Sequence, residues 1–348
     1  MNQFAEFYCM KKLLFTFSIF IHLFVAGQSS TSFEHNGISR NFIYYTPTSW
    51  TQGESVPLLF VLHGLTQSGA GIMSITDFNT IAETNNFIVC YPDGLNNSWN
   101  ADMNITVSQA DDIGFIEELA IFMQNDFNTD PNRQYLCGFS NGGFMSYKLA
   151  CESNQCFAAI ASVAGTMSDT VYQNCVPQYT PDILQIHGTA DPVVSYDGGP
   201  TVGVSVDALM EQWRAFYSCD LEPTMNSMPN TNILDLSYPE RYTYTNCEAS
   251  LELIKIIGGG HQWPGIVTLL GGLGTINMDF YSPQLIWEFL ENKTCSETSS
   301  TIELKENPTK KILKIIDMMG RETKFIPNTP LIYIYSDGTQ EKVMKLKH

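Results

Sequence analysis

The sequence predicts an α/β fold, a mostly parallel sheet with helices on both faces. Three observations predict it. Short apolar runs rich in Val, Ile, Phe and Tyr alternate with longer amphipathic stretches. Some runs, "VPLLFVLHG" above all, are apolar throughout, as strands covered on both faces are. The stretches between them repeat apolar residues at helical spacing.

The elements follow in order. "RNFIYYTP" and "VPLLFVLHG" are strands, and "TDFNTIAETNN" is a helix leading into the strand "FIVCYPDG". In "DDIGFIEELAIFMQNDF", Ile113, Ile116, Ala120 and Met123 form a helical stripe, and Asp111 and Asp112 suit the helix N-terminus. The strand "QYLCGF", a helix after Ser140, and the strands "FAAIASVAG" and "DILQIHG" come next. Val206, Leu209, Trp213 and Phe216 line one face of a further helix. "LELIKIIGGG" is a strand and "PQLIWEFLEN" a final helix. The polar stretch "ENKTCSETSSTIELKENP" reads as a linker. Beyond it "LIYIYSDGTQEKVMKLK" alternates around Asp337 and Gly338, a hairpin signal.

With 348 residues the chain is long enough for a sizeable core, and its 44% hydrophobic content is ordinary. The net charge of −18 is unevenly spread. Residues 31–300 carry 7 Lys and Arg against 29 Asp and Glu; residues 301–348 carry 9 against 6. An acidic body argues against nucleic acid and anionic membrane surfaces as partners. The shift near residue 300 marks a separate small module. At the other end, "MKKLLFTFSIFIHLFVAGQSS" places two lysines before an apolar run and small residues after it. That is the pattern of a secretory signal peptide over residues 1–27, with Met10 as the alternative start. No later apolar run is long enough to span a bilayer.

Export makes disulfides expected. Cys90 and Cys137 sit inside apolar strand-like runs and read as buried free thiols that do not pair. Cys151, Cys156, Cys175, Cys219, Cys247 and Cys295 remain for bridges, with Cys219–Cys247 the favoured pair. There is no C-x-x-C, so no metal site is expected.

The chemistry centres on "YLCGFSNGGFMSYKLAC", where Ser140 stands between Gly138 and Gly142. G-x-S-x-G forms a nucleophile elbow when a strand enters it and a helix leaves it, and both flanks fit. The bland alternative is a small polar residue in a Gly-rich turn. A serine nucleophile needs a base and an acid, in the chain order Ser, acid, His. Of the histidines past the leader, His35, His63 and His187 precede any plausible acid, and His348 is the last residue. His261, in "GGGHQWPG" just past a strand, remains. Asp191, in "TADPVV" beyond the strand "DILQIHG", is the candidate acid, with Asp197 as fallback. An oxyanion hole needs two backbone N–H groups. Asn141 supplies one; Leu65, in "VLHGLTQSG", is the candidate for the other, with His63 shaping that loop. Trp263, two residues past the base, is the candidate substrate contact. Trp213, Tyr217, Tyr238, Tyr242 and Tyr244, in the long insertion between acid and base, form a candidate aromatic wall, though Trp213 above all suits the core.

The blocks "LHGLTQSG", "YPDG", "DDIGFIEEL", "GFSNGGFMSYKLACE", "HGTADPVV" and "GGGHQWPG" together resemble the secreted esterase family of polyhydroxybutyrate depolymerases, feruloyl esterases and acetylxylan esterases. The resemblance runs from residue 32 to 295. It implies an α/β-hydrolase fold without metal or cofactor, with Ser140 as nucleophile, Asp191 as acid and His261 as base. The family often has Cys where this chain has Leu65, a change that a backbone donor survives. The tail resembles the C-terminal sorting domain of the type IX secretion system. That implies a linker over 296–303, a small β-sandwich-like sorting domain over 304–348, a partner in the secretion machinery, and an extracellular or cell-surface location. The implied activity is a serine carboxylesterase acting on a polymeric ester, with feruloyl esters first and polyhydroxybutyrate or acetylxylan as alternatives. An inactive hydrolase-fold binding protein is the alternative of another class, which a generic chromogenic ester distinguishes.

Overall fold

The computed structural model describes residues 27–104, 108–267, 273–295, 312–317, 320–321, 323, 331–335 and 340–343. In chain order the elements are β1 (Gly27–His35), β2 (Ile38–Thr46), β3 (Val56–Leu62), α1 (Gly69–Thr76), α2 (Phe78–Asn85) and β4 (Ile88–Pro92). Then come α3 (Asp112–Phe127), β5 (Thr129–Phe139), α4 (Asn141–Glu152), β6 (Ala159–Val163), α5 (Asp169–Asn174) and β7 (Asp182–Gly188). The body ends with α6 (Val206–Phe216), β8 (Thr224–Ser227), β9 (Tyr238–Thr243), β10 (Leu251–Ile257) and α7 (Ser282–Leu290). The tail contributes β11 (Ile312–Asp317), β12 (Leu331–Tyr335) and β13 (Gln340–Val343).

Ten strands form one sheet in the order β1-β2-β4-β3-β5-β6-β7-β10-β9-β8. The centre, from β4 to β10, is parallel. The edges are antiparallel, with β1 and β2 on one side and β9 and β8 on the other. The sheet is therefore mixed, and β8 and β9 were not legible as strands: the residues of β8 are all exposed, and in β9 only Pro239 is buried. An edge strand exposed on both faces carries no apolar alternation.

The wholly apolar β3 is buried at every residue. Leu58, Phe60 and Leu62 enter one core with side chains of α3, α4 and α6; Leu59 and Val61 enter the other with those of α1, α2 and α7. This is the period-two division that a doubly covered strand requires. Asp111 caps α3, its carboxylate accepting the Gly114 N–H at 3.0 Å. Asp112 turns inward instead, paired with buried Arg40, and burial raises its pKa.

Cys90 on β4 and Cys137 on β5 are free and buried, with β3 between their strands. Their side chains enter different cores, and burial pushes both thiols up. The bridges are Cys151–Cys175, Cys156–Cys295 and Cys219–Cys247. In the tail, β11, β12 and β13 form a three-stranded antiparallel sheet, with β12 and β13 the expected hairpin arms. The described residues there form one sheet rather than the two packed layers of a sandwich. The signal peptide lies, but for Gly27, outside the described residues, as does the linker over 296–303.

Cys156–Cys295 closes the longest loop, 139 residues, and ties the end of the body to the start of β6. The double variant Cys156→Ser, Cys295→Ser should lose about 2–5 kcal/mol in urea unfolding. Equal unfolding midpoints would refute this.

Candidate active site

Ser140 joins β5 to α4 with φ 52° and ψ −118°, a backbone conformation that costs a non-glycine residue about 1–3 kcal/mol. Its N–H donates to Val163 O at 2.9 Å, and its carbonyl accepts the Phe144 N–H at 3.1 Å, so both sides of the turn are held. The turn also needs its glycines. A Cβ on Gly138 would strike the Gly142 carbonyl, and one on Gly142 would strike the carbonyls of Leu62 and His63. Helix and sheet approach this closely only without those side chains.

Asp191 and His261 arrive from loops beyond β7 and β10. His261 Nδ1 lies 2.8 Å from Asp191 Oδ2, and the Asp191 side chain is fully buried. Asp191 Oδ1 accepts the N–H groups of Val193 and Val194, each at 2.8 Å. With Nδ1–H given to the carboxylate, His261 keeps Nε2 as its basic atom. The His261 backbone is held in turn: its N–H donates to Leu273 O at 2.6 Å, and the Gly260 N–H to Thr275 O at 2.8 Å. Its ring packs on Phe139, with centroids 5.0 Å apart.

Ser140 and His261 line one cavity of about 480 Å³. Leu65, Met103, Val193, Val194, Val202 and Leu273 make its apolar walls, with Phe139 beneath. Among the described residues, no Asp, Glu, Lys or Arg lines it. Leu65 and Asn141 also border the cavity, and among the described residues neither backbone N–H has an acceptor. Asp197 is exposed in a turn away from this group. His348 lies outside the described residues.

Two buried side chains tie the loops together. His63 Nδ1–H donates to Gly64 O at 2.8 Å, and Nε2 accepts the Gly94 N–H at 2.9 Å. Burial lowers its pKa, so it is a neutral strut, as the sequence suggested. The Asn141 side chain was not singled out by the sequence. Its Oδ1 accepts the Trp99 N–H at 2.7 Å and its Nδ2 donates to Trp99 O at 3.2 Å. This clasp fixes the loop that carries Met103. Its partner stands 42 positions away, beyond the reach of any local pattern.

The expected aromatic contacts are corrected. Trp263 is 1% exposed and does not border the cavity; its ring stacks on Phe139 at 5.8 Å and meets Phe78 edge-on. Trp213 and Tyr217 are fully buried in the core, Tyr242 and Tyr244 pack against it, and Tyr238 is exposed on the β9 edge. None of the five borders the cavity. The large apolar area of Trp213 and Tyr217 drives those two into the core with α6. A Trp263→Phe variant should therefore lose stability, by about 1–3 kcal/mol, without altering relative rates on different esters. A changed ester preference at unchanged stability would place Trp263 against substrate after all.

Residues 34–234 match the family "Esterase: Putative esterase". Feruloyl esterase B of Piromyces equi is 28% identical over 238 residues, covering 64% of this chain and 42% of its own length. The bifunctional acetylxylan esterase/xylanase XynS20E of Neocallimastix patriciarum is 27% identical over 229 residues, covering 65% and 31%. The chain thus spans under half the length of either fungal protein. Among solved structures, the acetyl xylan esterase from Aspergillus awamori superposes with a TM-score of 0.54 at 17% identity, covering 76% of this chain and 99% of its own. A strand-turn-helix at Ser140, a doubly covered sheet and a match over more than half its length make this chain a member of the esterase family, a carboxylesterase of the α/β-hydrolase superfamily.

Proposed function

We propose that ester cleavage runs through Ser140, His261 and Asp191. The Asp191–His261 hydrogen bond, opening on the same cavity as the elbow serine, is the observation that carries this reading. His261 Nε2 takes the Ser140 hydroxyl proton as Oγ attacks the ester carbonyl. The N–H groups of Leu65 and Asn141 receive the oxyanion. His261 then gives the proton to the leaving alcohol, and water, activated by the same imidazole, releases the acid from the acyl-enzyme. Asp191 orients the ring and stabilises its charged form. None of these steps calls on a metal or a cofactor.

The substrate we propose is the ester of a polymer-linked phenolic acyl group, feruloyl first. The uncharged cavity suits a neutral acyl group, and its volume exceeds what acetyl needs. Likeness to a feruloyl esterase supports the same choice. A second reading has its own observation: the walls are aliphatic rather than aromatic, which suits the branched acyl unit of a polyhydroxybutyrate. Methyl ferulate turnover, ferulate release from arabinoxylan, acetate release from acetylated xylan and clearing of a polyhydroxybutyrate suspension should be measured on one preparation. Ferulate release is expected; clearing without it favours the polyester. Ser140→Ala should lose at least about a thousandfold in turnover while folding normally, and Asp191→Asn should also fall steeply. Wild-type turnover in Ser140→Ala would refute the triad.

We further propose that residues 304–348 are a secretion sorting domain and that the enzyme acts outside the cell. The charge reversal near residue 300, the leader pattern and the separate three-stranded sheet support this. Deleting 304–348 should leave catalysis intact but trap the enzyme in the cell envelope. Loss of catalysis in the purified truncated protein would overturn it.

A further inference from the structure

The turn after β7 has two duties. The N–H groups of Val193 and Val194 hold the Asp191 carboxylate, while both valines line the cavity. Among the described residues, one buried side chain outside the turn bonds its backbone. His187, on β7, has Nε2 at 2.8 Å from Val194 O, and its side chain is wholly shielded from solvent. The same nitrogen is 3.6 Å from Asp191 Oδ2. Its Nδ1 lies 3.1 Å from the Gln185 amide nitrogen. A carbonyl on one side and an amide donor on the other fix the tautomer, with the proton on Nε2. Burial lowers the His187 pKa, which keeps the ring neutral.

The imidazole is itself braced. The Gln185 amide also donates to Gly165 O at 2.9 Å, and its carbonyl accepts the Tyr147 hydroxyl at 2.8 Å. Tyr147 belongs to α4, the helix that begins at the elbow. One buried polar chain thus runs from the nucleophile helix through β7 to the acid turn, Tyr147–Gln185–His187–Val194. A satisfied buried chain of this kind makes its members mutually dependent. Sequence order had set His187 aside, since it precedes the acid.

We propose that His187 is a positioning residue for the reaction: by holding Val194 O it fixes the turn that orients Asp191 and walls the cavity, and Tyr147 and Gln185 fix His187 in turn. This rests on the triad reading above. His187 touches no substrate. Its absence lets the carboxylate drift from His261, and a misplacement of about 1 Å in such a group costs on the order of a hundredfold in rate.

The test uses p-nitrophenyl acetate and four full-length variants. His187→Leu removes the donor at similar size; its kcat should fall on the order of a hundredfold with KM nearly unchanged. His187→Gln offers an amide N–H to Val194 O and should recover most of the loss. The downfield proton of the His261–Asp191 hydrogen bond, followed by NMR, should persist in wild type and Ser140→Ala but shift or broaden in His187→Leu. If His187→Leu does not fold, Tyr147→Phe carries the test, since it removes only the hydroxyl that braces Gln185. A several-fold loss of kcat at constant KM, with a shifted proton, is then expected. Wild-type kcat and an unmoved proton in whichever of the two folds would overturn the proposal. If Ser140→Ala is inactive in that same series, His187 alone was misread; if Ser140→Ala stays active, the triad reading falls and this inference with it.

Discussion

The close contact of α4 with the ends of β3 and β5 is the constraint on which the site depends. Gly142 presses on the backbone of Leu62 and His63, and Gly138 on the first turn of the helix. That contact forces Ser140 into a strained positive-φ turn, anchored by its hydrogen bonds to Val163 and Phe144. A strain of about 1–3 kcal/mol persists only when the surroundings over-determine it. Here the surroundings are a strand buried at every residue and two cores, one on each face of the sheet. The strand-turn-helix geometry at Ser140 is a consequence of that packing.

The second layer of organisation is polar and buried. Asp191, His187, His63 and the Asn141 side chain each bind backbone groups of loops that carry no regular hydrogen-bond ladder. Buried polar groups without partners cost about 1–3 kcal/mol each, so a loop bonded in this way has few alternative conformations. Among the described residues no Asp, Glu, Lys or Arg lines the cavity, although the body is strongly acidic. The cavity sets apolar walls beside the backbone N–H groups of Leu65 and Asn141, which have no acceptor among the described residues.

The sequence by itself determined the architecture and the triad candidates. Apolar runs at period two and stripes at helical spacing gave the central strands and the main helices. The separation of Cys90 from Cys137 followed from the inferred strand order. Ser140, Asp191 and His261 could be named as candidates because strand ends are readable and chain order eliminates the other histidines. Tertiary structure decided the rest. Trp263 and the tyrosines of the insertion looked like a substrate wall because spacing does not tell a core face from a cavity face; Trp263 and Tyr217 are buried, and none of these rings borders the cavity. The edge strand β8 and its neighbour β9 were invisible because wholly exposed or half-buried faces impose no apolar alternation. The clasp of Asn141 on Trp99 and the brace of His187 under Val194 join segments through single hydrogen bonds, and a hydrogen bond between loops leaves no period in the sequence from which it could be read.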